Sequence, residues 1–208
     1  MVTGRDALER LRQGNRRFAA DISRISGDGG ETRRIELIEG QQPIAIILGC
    51  SDSRVPAELV FDQGLGDLFV IRVAGNIVAP SQVGSVEFAA DRYGSRLVVV
   101  LGHSLCGAVQ ATLEELERPS QQRSPNLRSI VGRIRPAVET LLETGRGEDQ
   151  GALLGNAIRA NIRASTNHLR QGSKTLEKMI RKEQLLIVGA EYSLETGIVD
   201  FFDVPENR

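Results

Sequence analysis

Four short apolar runs limit what this chain can fold into: Ile44–Gly49, Leu68–Val73, Leu97–Leu101 and Leu185–Gly189. They are apolar at nearly every position instead of every second one, and rich in Val and Ile. That is the pattern of strands buried on both faces. Helix-length stretches lie between them. Ser81–Tyr93 carries Val83, Val86 and Ala90 on one side and is closed by Gly94. Gly107–Glu117, Ala152–Arg170 and Thr175–Lys182 also read as helices, and Leu127–Glu143 as an amphipathic helix interrupted or bent at Pro136. Strands alternating with helices predict an α/β fold with a mainly parallel sheet of four strands and helices on both faces. Gly197–Phe202 follows a turn at Glu195–Gly197 and is expected to add an antiparallel edge strand.

The segment before the first strand differs in character. Thr3–Ala20 reads as a helix with Ala7, Leu8, Leu11 and Phe18 on one side, Ile22–Gly30 as a polar loop, and Glu31–Glu39 as a second short helix ending at Gly40. Neither helix is needed to close a βαβ unit, so residues 1–40 are expected to form a helical arm that packs on a partner subunit. Pro56–Phe61 predicts a short helix with proline in its first turn. Gly64-Leu65-Gly66 lacks the third glycine of a phosphate-binding loop and reads as a turn. Arg118–Asn126 is a loop and Gly145–Gly151 a linker. With no internal repeat and no boundary, residues 1–208 are expected to form a single domain.

A net charge of −1 provides no global field for nucleic acid or anionic membrane. The arginine groups at Arg16-Arg17, Arg33-Arg34 and Arg128/Arg133/Arg135 read as solvated helix faces. No stretch reaches the roughly 18–20 apolar residues of a membrane span, and Met1–Asp6 has no apolar signal region. The expectation is a cytoplasmic protein. Its two cysteines, far apart in sequence, are then metal ligands or core residues and not a redox pair.

Two of the apolar runs end in reactive side chains. The first leads into Cys50-Ser51-Asp52-Ser53-Arg54 and the third into His103-Ser104-Leu105-Cys106-Gly107. In open parallel sheets, ligands collect at the carboxyl ends of strands, so these residues are expected to converge. Two thiolates and one imidazole form a soft donor set that favours zinc. His103 and Cys106 can bind one ion across a strand-to-helix turn, and Cys106 at a helix start gains from the helix dipole. Three ligands leave a tetrahedral position open, as in catalytic zinc sites. Asp52 fits two roles: a fourth ligand that closes the site, or a partner of Arg54 that orients a zinc-bound hydroxide. His168, in the polar stretch Asn167-His168-Leu169-Arg170, reads as an ordinary helix residue.

These motifs, with Arg72-Val73-Ala74-Gly75-Asn76 between them, resemble the signatures of β-class carbonic anhydrases. Further similarity covers Leu11, Gly14-Asn15, Arg17-Phe18, Gly189, Tyr192, Gly197 and Val199. The resemblance implies one zinc ion per subunit on Cys50, His103 and Cys106, a catalytic dyad of Asp52 and Arg54, and a homodimer or homotetramer. It implies reversible hydration of carbon dioxide to bicarbonate and a proton by zinc-bound hydroxide. Gln41 matches a glutamine that hydrogen-bonds substrate in plant-like members. Phe69 and Val73 match walls of the carbon dioxide pocket, and the Gly107 N–H a donor to substrate oxygen. Phe88 stands where some members have tyrosine. Ile47 stands where allosteric members have tryptophan, whereas Gly49 and Tyr192 agree with that subgroup. Hydrolysis of carbonyl sulfide or carbon disulfide, and a scaffold with structural zinc, are the rival readings.

Overall fold

In the computed structural model, residues 2–23, 30–119, 124–144 and 149–205 are described. The four apolar runs become β1 (Ala45–Gly49), β2 (Leu68–Arg72), β3 (Leu97–His103) and β4 (Leu186–Tyr192), and β5 (Val199–Asp203) follows. The sheet order is β2-β1-β3-β4-β5, with every neighbouring pair parallel except β4 and β5. This is the mainly parallel sheet with an antiparallel edge that the apolar runs predict. A register shift between Gly189 and Glu191 marks the edge pairing.

The apolar runs divide by alternation between two cores. Ile46, Leu48, Val98 and Val100 face one side, where they meet α4 (Pro80–Arg92), α5 (Gly107–Glu117), α6 (Pro125–Thr144), α7 (Gln150–Gln171) and α8 (Lys174–Arg181). Ala45, Ile47, Leu97, Val99 and Leu101 face the other, where α1 (Gly4–Ala19) and the short α3 (Ala57–Val60) cover them. Both faces are dry, which is why the strands lack the alternation of a half-exposed sheet.

The N-terminal segment is not uniformly an arm. Thr3 caps α1, its hydroxyl accepting from the Asp6 N–H. Ala7, Leu8 and Leu11 are buried on the chain's own sheet. Asn15 ties the helix down: its amide donates to the carbonyls of Val60 (3.1 Å) and Gly197 (2.8 Å) and accepts from the Val199 N–H (2.8 Å). Without α1, this sheet face would expose Ile47, Val99 and Leu101, so burial retains the helix at home. By contrast, α2 (Glu31–Glu36) has no buried residue, and Ile38 just beyond it is 81% exposed. Most of the loop expected at Ile22–Gly30 lies outside the described residues, as do the centres of Arg118–Asn126 and Gly145–Gly151.

Element ends shift by a few residues from expectation, and two of the shifts have a clear cause. The helix expected at Leu127–Glu143 begins earlier, because Pro125 suits a first turn, and runs on through Pro136. Pro136 removes one backbone hydrogen bond, and the buried Ile134 and Val138 on either side anchor the helix across that gap. The expected linker ends in a cap: the Asp149 carboxylate accepts from the N–H groups of Gly151 and Ala152, starting α7.

Candidate metal centre

Neighbouring strands bring the reactive residues together. β1 and β3 pair directly, with Gly49 opposite Leu101, so Cys50 and His103 leave adjacent strand ends on the same sheet edge. Three residues beyond His103, Cys106 occupies the N-cap position of α5. Leu105, with φ of 57°, turns the chain sharply enough to bring the second sulfur back. Cys50 Sγ, Cys106 Sγ and a ring nitrogen of His103 all lie within 4.8 Å of one another, and all three residues are buried.

His103 tests whether the group suits a metal. Nδ1 lies 2.9 Å from the Ser104 carbonyl oxygen, which can only accept, so Nδ1 carries the proton. Nε2 then presents a lone pair to the sulfurs, and it is buried without a hydrogen-bond partner. A buried polar atom with no partner is costly in a folded protein. A metal ion on Nε2 and the two free thiols resolves that cost, and the soft donor set suits zinc.

The electrostatics favour the same conclusion. The Cys106 thiol hydrogen-bonds to Cys50 and holds its pKa well below the usual thiol range, against burial, with His103 and the Gly75 N–H assisting. Cys106 is pushed up by that neighbouring thiolate and by burial. The bare site therefore holds one thiolate readily, and a cation is needed to hold two. Burial works to lower the His103 pKa, but the adjacent Cys50 sulfur and its negative charge raise it overall.

Asp52 lies beside this trio and outside it. Its carboxylate is gripped by Arg54, with Nε donating to Oδ1 (2.9 Å), Nη2 to Oδ2 (2.8 Å) and the Arg54 N–H to Oδ1 (3.0 Å). Oδ2 remains 3.8 Å from His103 Nε2. The guanidinium holds the Asp52 carboxyl far below the ordinary carboxylate range.

Supports emerge to which the sequence reading assigned no role. Arg72 reaches across from β2, donating to the carbonyls of Cys50 (3.1 Å) and Asp52 (2.6 Å). This clamps the turn that carries both residues. The Gly75 N–H donates to Cys50 Sγ at 3.3 Å, and Asn161 on α7 donates to the Gly75 carbonyl at 2.8 Å. Gly75 has φ of 70°, and a Cβ there would lie 2.8 Å from Ile134 Cδ1, so glycine is required. A polar Asn161 between Ile158 and Ile162 was the available signal for this helper.

Val73 packs into the same core as Cys50, and its N–H donates to the Gly49 carbonyl. Gly107 opens α5 beside Cys106, with nothing within 4 Å of where a Cβ would stand. Gln41 and Phe69 belong to a different group. Gln41 precedes β1 at the amino end of the sheet, so the five residues of that strand, about 16 Å, separate it from Cys50. Gln41 Nε2 donates to Tyr93 Oη at 3.1 Å. Tyr93 in turn packs on Phe69 and Phe88, with ring centroids 5.9 and 5.6 Å away.

Comparison with known proteins identifies the family. The family model for carbonic anhydrase matches residues 45–199, which contain every residue of the trio. The chain belongs to the β-carbonic anhydrase family. It is 37% identical over 195 residues to the carbonic anhydrase of Mycolicibacterium smegmatis, covering 93% of this chain and 91% of that one. It is also 37% identical over 191 residues to carbonic anhydrase 2 of Mycobacterium tuberculosis, covering 92% and 89%. Among solved structures, the β-carbonic anhydrase CcaA superposes with a TM-score of 0.76 at 26% identity, covering 97% of this chain and 93% of that one. A tetrameric β-carbonic anhydrase of Sordaria macrospora shares the fold, with a TM-score of 0.73 at 22% identity over 81% and 85% of the two chains. The family's reaction is the reversible hydration of carbon dioxide, and this chain is an enzyme of that class.

Proposed function

We propose that the site converts carbon dioxide and water to bicarbonate and a proton, with one zinc ion per chain on Cys50 Sγ, His103 Nε2 and Cys106 Sγ. The observation that carries this is the lone pair of His103 Nε2, buried without a partner and facing two free thiols. When bound, zinc acidifies a water molecule so that hydroxide is available near neutral pH.

The chain's own groups do the rest. Asp52, kept ionised by Arg54, accepts a hydrogen bond from the attacking water and so turns its lone pair toward carbon dioxide. Asp52 acts as the partner of Arg54 and not as a fourth metal ligand, because the three bonds to Arg54 already hold its carboxylate. Val73 supplies apolar wall for a substrate with no charge to grip. The Gly107 N–H, in the first turn of α5 where donors lack intrahelical acceptors, steadies the oxygens as they gain negative charge. A cytoplasmic setting suits the site, which needs both thiols reduced.

Gln41 and Phe69 cannot serve the trio of their own chain, so they complete the site of a second copy, and the smallest active unit is a homodimer. Exposed apolar side chains support this. Leu105, between two of the metal ligands, is 61% exposed, and Phe88 beside Phe69 is 52% exposed. A second copy covers such surface.

Zinc content measured with the hydration rate from pH 6.5 to 9 tests the chemistry. Cys50→Ala should lose both, and full activity in the metal-free variant would end the proposal. Mixed oligomers test the geometry. Gln41→Ala chains retain the metal trio and Cys50→Ala chains retain the glutamine, so dimers of one of each should regain a working site. A mixture no more active than its two parents would show that Gln41 does not act across copies.

A further inference from the structure

The Tyr93 hydroxyl is called for by no motif, yet it holds Gln41. Gln41 lies in an irregular stretch before β1 with its side chain exposed, where neither helix nor strand fixes its direction. Its Nε2 donates to Tyr93 Oη at 3.1 Å. Tyr93 ends α4, its ring set edge-on to Phe88 at 87° and tilted against Phe69 at 43°. Both polar groups line a cavity of about 500 Å³ that they share with Gln42, Arg92 and Arg96.

We propose that Tyr93 is the positioning residue for Gln41, its hydroxyl anchoring the amide that meets substrate in the second copy's site. This rests on the reading of Gln41 given above. A free glutamine side chain samples many rotamers, and few of them aim the amide at a substrate oxygen. One hydrogen bond to a group that does not itself move removes most of that freedom. Two aromatic rings pack against the anchor and restrict its rotation. The amide has two N–H groups, and Tyr93 Oη occupies one, so the second N–H and the carbonyl oxygen stay available to a ligand.

The test uses the full-length, zinc-loaded protein and a double-mutant cycle in a stopped-flow hydration assay. Tyr93→Phe removes only the oxygen. It should lower kcat/KM by about 3- to 10-fold, the worth of one hydrogen bond. Zinc content, oligomer mass and melting temperature should match the parent protein. In a Gln41→Ala background the same change should have no further effect, because its only route of action is gone. A Tyr93→Phe protein as active as its parent overturns the proposal. So does a loss of the same size with Gln41 already removed. Gln41→Ala with unchanged kinetics would overturn the assignment of Gln41 first, and this proposal with it.

Discussion

Replacing Asn161 by leucine should weaken zinc binding, although Asn161 is not one of the three residues proposed to hold the ion. Asn161 is 2% exposed, and its amide is the donor that the structure gives to the Gly75 carbonyl; the Gly75 N–H in turn donates to Cys50 Sγ. Leucine has the same branched arrangement of four side-chain heavy atoms, so the change removes the donor and leaves a buried carbonyl unpaired, at about 1–3 kcal/mol. For a chain of this size each kcal/mol is worth roughly 2–4 °C, so the metal-free protein should melt roughly 2–12 °C lower. Freed from α7, the Gly75 peptide no longer holds its N–H against the sulfur. Losing such an outer support costs about 10- to 100-fold in metal affinity. Tenfold weaker binding removes about a further 1.4 kcal/mol of stabilisation at saturating zinc. The deficit in melting temperature should therefore be larger with zinc than without it. Thermal melts of both forms, with chelator competition for the zinc dissociation constant, measure each part. An equal deficit with and without zinc, together with parental zinc affinity, would refute the reasoning and leave Asn161 as a structural tie alone.

Other perturbations address the remaining parts. Cys106→Ala should purify with only traces of zinc, and its hydration rate should fall in proportion when both are measured on one preparation. Asp52→Asn should keep zinc and lose most turnover. The folded Asp52 pKa is lowered, so the stability it adds is fully present above the unfolded value near 3.9 and is lost only as pH falls through the folded value. The melting-temperature gap between wild type and Asp52→Asn should therefore stay constant from pH 9 to pH 6 and narrow only in strong acid. Gly14→Ala would ordinarily stabilise a helix by about 1 kcal/mol. Here its Cβ would lie 1.8 Å from the Phe61 carbonyl oxygen, so denaturant unfolding should show a loss of at least about 1–3 kcal/mol.

Much of the site was legible because its chemistry is written locally. Cys50 and His103 directly follow or close runs that can only be buried strands, and the rule that parallel strands share a carboxyl edge places them together. His103 and Cys106 are near neighbours in the chain, so a single turn unites them. Asn161 and Tyr93 were less accessible. Each acts through one contact made far along the sequence, 86 and 52 residues away, and no periodicity announces such a contact. The helix at Gly4–Ala19 was recognised as a helix, but its position on its own sheet was not. An amphipathic face shows that something must be covered, and not which molecule supplies the surface.

The amino-acid sequence by itself determined the strands, the helices, the parallel sheet and the donor set, because these depend on apolar patterning and on residue chemistry that any conformation of the chain retains. Tertiary structure alone decided that Asp52 sits with Arg54, that Gly75 and Asn161 brace Cys50, and that Gln41 lies a strand's length from its own metal trio. Those outcomes depend on distances of a few ångströms between residues remote in the chain, which exist only once both sheet faces have packed.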